Sequence, residues 1–509
     1  MSMSVALSIS SGEIGNINGQ LALISNNIAN AGTPDYTVEE VSQTSVTASG
    51  IGMGAAEGTV QRSINLQMQA DVFTQNGNVA ALQTQQTALQ QIDAAQGAVA
   101  SGTDIGSLLG ALQDSFSALE TEPDNQTQQQ DVVASAQALA SQINGVSDAI
   151  GTQRQSAQNA IVSEVGTLNT TLSTLGTLSD QIMQAQAQGQ STADLENQRD
   201  SAMDQLSQLI SVKYKEQPDG DLLVVTPSGM NLPIHSATPP FSTAAATLAA
   251  NVYAPGGGVP PITFDGQDVT SQLTGGQLGG NIALRDQTLP TQQANLDEFS
   301  ETLASRFAAQ GLTLFTAPGG TVPTGGGSPA QSGYVGFAGT IQVNPAVTAD
   351  PSLVTNGTTT VAGSAGGASA FAPNPATGPA GFTTMITRVL DYALGSDVQA
   401  GVTQPPPNVS GLGPSGTLSA GFAAPTDLAG LATAVTGAEA QQSAGVTSQL
   451  TGAQSLQSTL QSQLASGSSV DLDAQMSQMI VLQNAYVANA RVMSAVQSMW
   501  TQLTQAVAG

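Results

Sequence analysis

Residues Ile14 to Tyr36 read IGNINGQLALISNNIANAGTPDY, and this run decides how the rest of the chain is organised. Ile14, Ile17, Leu21, Ile24 and Ile28 advance in steps of 3, 4, 3 and 4, the seam of a helix that packs on another helix. Gly32 supplies a helix-ending residue, and Pro34 pushes Thr33 out of helical backbone angles. Asn26, Asn27 and Asn30 cluster where the predicted helix ends, with no charge among them. A catalytic pocket, a cofactor loop and an assembly joint all fit such a cluster, so the remaining sequence has to choose.

The other end is written the same way. Leu472, Met476, Met479, Tyr486, Ala490, Met493, Trp500, Leu503 and Val507 keep near-heptad spacing almost to Gly509. Chain ends usually fray, yet both ends here read as long, interacting helices. Residues 37–66 read as extended and turn-rich, with Val60, Arg62, Ile64 and Leu66 alternating.

A helical body lies between. Ile105, Leu108, Leu112, Phe116 and Leu119 share one face, and Ile161, Val165, Leu168, Leu172, Leu175, Leu178 and Ile182 form a longer seam. Leu195, Met203, Leu206 and Leu209 continue it, Leu296, Leu303 and Phe307 mark a further helix, and Val446, Leu450, Ala453, Leu456, Leu460 and Leu464 a late one. Pro218-Asp219-Gly220-Asp221 between Val212–Tyr214 and Leu222–Val225 predicts a β-hairpin. From Thr316 to about Pro425 the chain turns Gly-, Pro-, Ala- and Thr-rich, and Phe337, Ile341, Val343, Phe371, Phe382 and Ile386 could build a small core there.

The expected class is therefore mainly α with β insertions (α+β). Terminal helices from 1–75 and 466–509 pair as a coiled coil. A helical-bundle middle domain spans 76–315 and 426–465, with a hairpin near 211–234, and 316–425 is an inserted, β-rich outer domain.

Composition excludes several functions. The chain has 36 acidic and nine basic residues in 509, a formal net charge of −27. The basic residues stand singly, so no stripe exists to neutralise nucleic-acid phosphates or an anionic membrane. With no cysteine, disulfides, thiol nucleophiles and Cys–metal sites are absent. No window reaches a membrane-spanning length of apolar residues, and the first basic residue is Arg62, so any export is expected to proceed without a cleaved signal peptide.

The chemical candidates fail one by one. Gly50-Ile51-Gly52-Met53-Gly54-Ala55 matches a dinucleotide fingerprint in letters, but a strand-like run follows where a helix is required, so it reads as a flexible Gly-rich turn. His235 is the one histidine, and no nucleophile motif accompanies it. Asp219 and Asp221 lack the later ligands of a calcium loop. Two acids can converge in any fold to cleave a glycoside, but the aromatics that line sugar clefts are sparse and Trp500 belongs to the terminal seam. No catalytic, cofactor or metal residues are assigned.

Ser25-Asn26-Asn27-Ile28-Ala29-Asn30, with Thr33-Pro34 and Tyr36, resembles the N-terminal motif of the bacterial flagellar axial proteins (rod, hook and hook-associated). Leu482-Gln483-Asn484-Ala485-Tyr486, with Ala488, Ala490-Arg491-Val492 and Met499, resembles their C-terminal signature. Leu195-Glu196-Asn197-Gln198-Arg199-Asp200, Leu284-Arg285-Asp286 and Leu296-Asp297-Glu298-Phe299 narrow the likeness to the hook-associated members at the hook–filament junction. The family usually has Gly at the position of Asp35 and an Arg soon after Tyr36, where Thr37-Val38 stand.

The resemblance implies a structural subunit, not an enzyme, whose terminal helices form the inner layer of a hollow cylinder. Its implied partners are further copies of itself, the hook protein, a second hook–filament junction protein and a cytosolic export chaperone on the C-terminal helix. Its implied location is the extracellular flagellum, reached by type III export. The assembly residues it marks, with the seams, are Ile14, Ile17, Leu21, Ile24, Asn26, Asn27, Ile28, Asn30, Pro34, Tyr36, Leu472, Met476, Met479, Leu482, Tyr486, Ala490, Met493, Trp500 and Leu503. Another axial subunit of hook or distal rod, or an exported adhesin or cell-wall hydrolase with flagellar-type ends, are the alternatives.

Overall fold

The computed structural model describes residues 3–33, 36–48, 51–97, 99–326 and 328–508. Pro34, Asp35 and Gly50, each singled out in the sequence, lie outside the described residues.

Helix α1 (Met3–Asn30) stops where Gly32 was expected to stop it. A long hairpin follows, β1 (Glu39–Ala48) antiparallel to β2 (Ile51–Arg62), and lies along α1. Asn16 Nδ2 donates to the Ala55 carbonyl at 2.8 Å, fixing hairpin to helix. The Gly-rich run from Ile51 is therefore strand, not the flexible turn its composition suggested. A register shift between Val46 and Thr47, with Gly54 at φ +107°, absorbs the glycines as an irregularity in the ladder.

The body begins with α2 (Leu66–Gln96), capped by Asn65, whose side chain accepts from Met68 N. Then come α3 (Ile105–Thr121), α4 (Gln126–Ala187) and α5 (Ala193–Leu209). Asn125 caps α4, a 62-residue helix and at 1.5 Å per residue about 93 Å long. Its first half joins one core with Ile105, Leu112, Phe116, Phe299 and Phe307; its second half joins another with Met203, Leu206, Val224 and Phe241. The predicted seam from Ile161 to Ile182 is buried throughout.

Strands β3 (Lys213–Glu216) and β4 (Leu222–Val225) form the expected hairpin, with Gly220 at φ +90° in its turn. Short strands β5 (Phe241–Ser242), β6 (Thr263–Phe264) and β7 (Gln267–Asp268) make a small sheet against α4. Helix α6 (Gly276–Ala283) continues through a π-helical turn, Leu284–Thr288, into α7 (Leu289–Ala309).

The 316–425 region carries β8 (Phe315–Thr316), β9 (Gln342–Val343), α8 (Pro345–Ala349), α9 (Leu353–Asn356), α10 (Thr384–Arg388), β10 (Asp397–Gln399), β11 (Val402–Thr403), β12 (Ser410–Leu412) and β13 (Leu418–Ser419). It does not close a core of its own. Phe337, Ile341, Val343, Phe371 and Ile386 share the first body core with α3, α4 and α7. Too few apolar residues stand in this stretch to bury one another, so they are buried against helices already present.

Helix α11 (Leu428–Ser468) returns along α2, and α12 (Leu472–Ala508) pairs with α1. Val446 and Leu450 of the predicted late seam are buried, but Leu456 is half exposed. Asn27 touches Gln475 while Ile17, Leu21, Ile24 and Ile28 pack with Met479, Leu482 and Ala485, an antiparallel pair.

Candidate functional site at the terminal joint

Asn27 is 1% exposed and closes the end of α1 onto β1. Its Nδ2 donates to the Glu39 carbonyl at 2.9 Å, and its Oδ1 accepts from Glu39 N at 3.1 Å and from the Tyr36 hydroxyl at 2.9 Å. The carboxamide thus replaces the backbone partner that the first residue of an edge strand lacks. Nδ2 also reaches Gln475 Oε1 at 3.3 Å, tying in α12. Burial, then the neighbouring Glu39 charge, raises the Tyr36 hydroxyl well above the usual phenol range.

The chain passes between the terminal pair and the body in two places, after β2 and after α11. Val38 stitches them together: its N–H donates to the Ser468 carbonyl at 2.8 Å, and its carbonyl accepts from Ser63 N at 3.0 Å. Asp471 caps α12, accepting from Asp473 N at 3.0 Å and Ala474 N at 3.2 Å, as a carboxylate at a helix start should.

Beneath lies the Glu196–Asp200 motif on α5. Arg62 Nε donates to Glu196 Oε2 at 2.8 Å and Arg62 NH1 to Asp200 Oδ2, with the Arg62 side chain 4% exposed. Burial works against this guanidinium, but Asp200 and Glu196 outweigh it and hold its pKa above the ordinary arginine value. Asn197 Oδ1 accepts from the Thr37 hydroxyl at 2.7 Å, and Asn197 Nδ2 donates to Glu39 Oε1 at 3.3 Å. Asp200 also accepts from Gln69 Nε2 at 2.6 Å, so α2, α5 and β2 meet on one carboxylate. Burial, then the Asp194 charge, raises the Glu39 carboxyl to about 7. Arg62 is the cation of this joint, although no motif in the sequence marked it.

The assembly residues expected from the sequence separate into groups. Ile17 and Ile24 are buried in the chain's own helix pair with Leu482, while Leu21, Ile28 and Met479 flank them. Ile14, Ala490 and Met493 are half-buried. Asn27 was expected on a face open to other subunits; its burial and four partners place it inside the chain instead. Asn30 Nδ2 donates to Asn26 Oδ1 at 2.9 Å, and both side chains are half-buried.

The single C-terminal seam read from the sequence divides as well. Leu472, Met476, Tyr486, Trp500 and Leu503 are 40–57% exposed, left uncovered by the antiparallel partner. Among the described residues, ten of the sixteen exposed large apolar side chains lie on α12. Leu472, Met476, Ile480 and Val487 run down one flank and Val481, Val492 and Met499 down the other. A helix apolar on several faces is ordinarily a buried one.

Two further motifs are accounted for inside the body. Asp297 accepts from Gly336 N at 2.7 Å and Ala338 N at 2.9 Å; Glu298 accepts from the Tyr334 hydroxyl at 2.6 Å and Asn408 N at 2.6 Å. These acids therefore moor the 316–425 region to α7. Arg285, fully buried in the π-turn, donates to both oxygens of Asp286 at 2.7 Å and to Gln158 Oε1 at 2.7 Å. His235, 40% exposed, sits beside Asp221 at 2.9 Å and Asp180 at 3.5 Å. Among the described residues no three His, Asp or Glu gather to hold a metal, and no helix is long and apolar enough to cross a membrane.

Comparison with known proteins agrees with this layout. The family model described as the flagellar hook-associated protein FlgK helical domain matches residues 89–322, and the flagellar basal body rod FlgEFG protein C-terminal model matches residues 461–506. Flagellar hook-associated protein 1 of Bacillus subtilis is 25% identical over 224 residues, 41% of this chain and 43% of the relative. That of Escherichia coli is 25% identical over 313 residues, 58% of this chain and 55% of the relative. The chain thus spans about half the length of the curated relatives it matches. The flagellar hook junction protein FlgK of Burkholderia pseudomallei has a solved structure similar over 50% of this chain and 45% of its own, at 25% identity and a TM-score of 0.41. The two family models fall on the helical body and on α12, the parts whose motifs the structure ties together.

Proposed function

We propose that the chain is a structural subunit of the bacterial flagellum that joins hook to filament. The observation carrying this reading is α12, which pairs with α1 on one face and leaves apolar flanks at Leu472, Met476, Ile480, Val487 and Met499 uncovered. Further copies of the chain, packed side by side as a cylinder, would cover them, and each Leu, Ile or Met so buried contributes roughly 1.5–3 kcal/mol. The hook protein below, a second junction protein above and an export chaperone that shields α12 beforehand are the partners this surface suits. Methionines at 476, 479, 493 and 499 fit successive partners, since their side chains adapt to differing surfaces. The helical-domain match over residues 89–322 favours a junction subunit over a hook or rod subunit.

Deleting the gene in the source bacterium tests the reading. The expected outcome is complete hooks without filaments and filament subunits shed into the medium. Normal filaments on the deletion strain would overturn it.

A further inference from the structure

Away from the joint, α7 and α11 flank a half-open cavity of about 310 Å³ whose lining includes Gln292, Asn295, Glu439 and Gln442. Nine buried side-chain polar atoms among the described residues have no hydrogen-bond partner, and three of them line this one cavity: Gln292 Oε1, Asn295 Oδ1 and Glu439 Oε1. All three are oxygens, and their residues are 7%, 6% and 5% exposed. Buried polar atoms are rarely left unpaired, and each such loss costs about 1–3 kcal/mol.

Both amides direct their nitrogens at carbonyl oxygens. Asn295 Nδ2 donates to the Ala420 carbonyl at 3.4 Å, and Gln292 Nε2 donates to Gln442 Oε1 at 3.2 Å. Reversing Asn295 would place its oxygen against a carbonyl oxygen, so Oδ1 is held where it is unpartnered. Gln292 and Asn295 are three residues apart on α7, and Glu439 and Gln442 three apart on α11, so each pair lies on one helix face. No basic residue lines the cavity to answer the Glu439 charge.

We propose that this cavity binds a hard cation of the calcium type, ligated by Glu439 Oε1, Gln292 Oε1 and Asn295 Oδ1, with water completing the shell. Calcium accepts carboxylate and carboxamide oxygens together and takes six to eight ligands, which the cavity has room to supply as water. One carboxylate among neutral ligands makes a weak site, in the range of about 10⁻⁴–10⁻³ M at which extracellular calcium modules work. The cation would lock α11 to α7 where the 316–425 region, through Ala420, adjoins both.

Equilibrium dialysis of the full chain against calcium chloride tests this. Wild type is expected to show one saturable site above the diffuse uptake of a chain this acidic. Glu439→Gln should weaken that site at least tenfold, while Glu122→Gln, at an exposed position, leaves it unchanged. Equal uptake by wild type and Glu439→Gln would mean the cavity holds water alone and would overturn the proposal. Gln292→Glu adds a second charge without removing a ligand, since Gln442 can turn its amide nitrogen toward the new carboxylate, and should tighten the site several-fold. Should Glu439→Gln not fold, unchanged or weaker affinity in Gln292→Glu decides against the proposal.

Discussion

A single carboxamide holds the end of α1 to the start of β1. Asn27→Ala removes one acceptor and one donor from buried backbone groups of Glu39 and orphans the Tyr36 hydroxyl, a loss of about 1–3 kcal/mol. Faster hydrogen exchange at the Glu39 amide and a lower urea midpoint would register it. Asn26→Ala, at a half-buried position bonded to Asn30 and near the Glu39 carboxylate, should cost less, within about 1 kcal/mol. Glu39 gives the joint a pH dependence. Its carboxyl is raised to about 7 from 4.5. The unfolded chain therefore ionises first, and this group's contribution is full below about pH 4.5 and lost as pH rises through 7. Arg62 faces it and favours the ion, Asp194 opposes it, and the net direction remains upward. Glu39→Gln, which keeps an oxygen for Asn197, should gain stability relative to wild type between pH 5 and pH 8. A gap in melting temperature that does not change across that range would refute the assignment. None of this was readable from the letters: the three Asn looked equivalent, and only the fold distinguishes buried Asn27 from its neighbours.

At the scale of elements, α12 has two kinds of apolar residue, and substitution should separate them. Leu482→Ala empties the seam against α1 and should cost about 2–4 kcal/mol in the pairing of the two helices, seen as exchange of α1 amides. Ile480→Asp and Met476→Asp sit on the uncovered flank, at 58% and 57% exposure, and should leave the monomer's melting unchanged. They should instead abolish incorporation into hook–filament preparations. Filaments of normal number from these variants would show that the flank stays uncovered in the assembly. The heptad spacing placed α1 and α12 correctly, because apolar periodicity records burial wherever it occurs. It merged the inner face and the outer flanks into one seam, since periodicity does not say which chain does the covering. Helix α2 was missed for a different reason: Gln69, Gln75 and Asn76, which bond across helices, interrupt the buried side they share with Val72, Phe73, Val79, Leu89 and Ile92, so its apolar stripe is broken.

In the whole molecule, most buried apolar residues belong to the body's two cores, and α1–α12 contributes only Ile17, Ile24, Leu482 and Val496 with a few partly buried neighbours. Isolated helices are marginal in water, and so small a seam adds little. Limited proteolysis of the free monomer should therefore trim within residues 1–60 and 470–509 well before the body, with a resistant core running from α2 to α11. Termini as resistant as the body would contradict that. The sequence made the bundle, the β3–β4 hairpin and the paired ends visible, since each is written in a local period. The 316–425 region was less legible. It holds too few apolar residues for a core of its own, and their partners on α3, α4 and α7 are far away in sequence, so no local pattern encodes the shared core.

Val38 has a mechanical consequence. Because Ser468, Val38 and Ser63 are bonded side by side, both covalent links between the helix pair and the body leave from one spot. A beam fastened at a single point carries tension in full but resists tilting weakly, since leverage requires separated anchors. The angle between pair and body is then set by the Arg62–Glu196–Asp200 ion cluster standing off that point. A stitched double crossing with an adjacent ionic stay lets the pair swing about a fixed pivot without pulling away from the body.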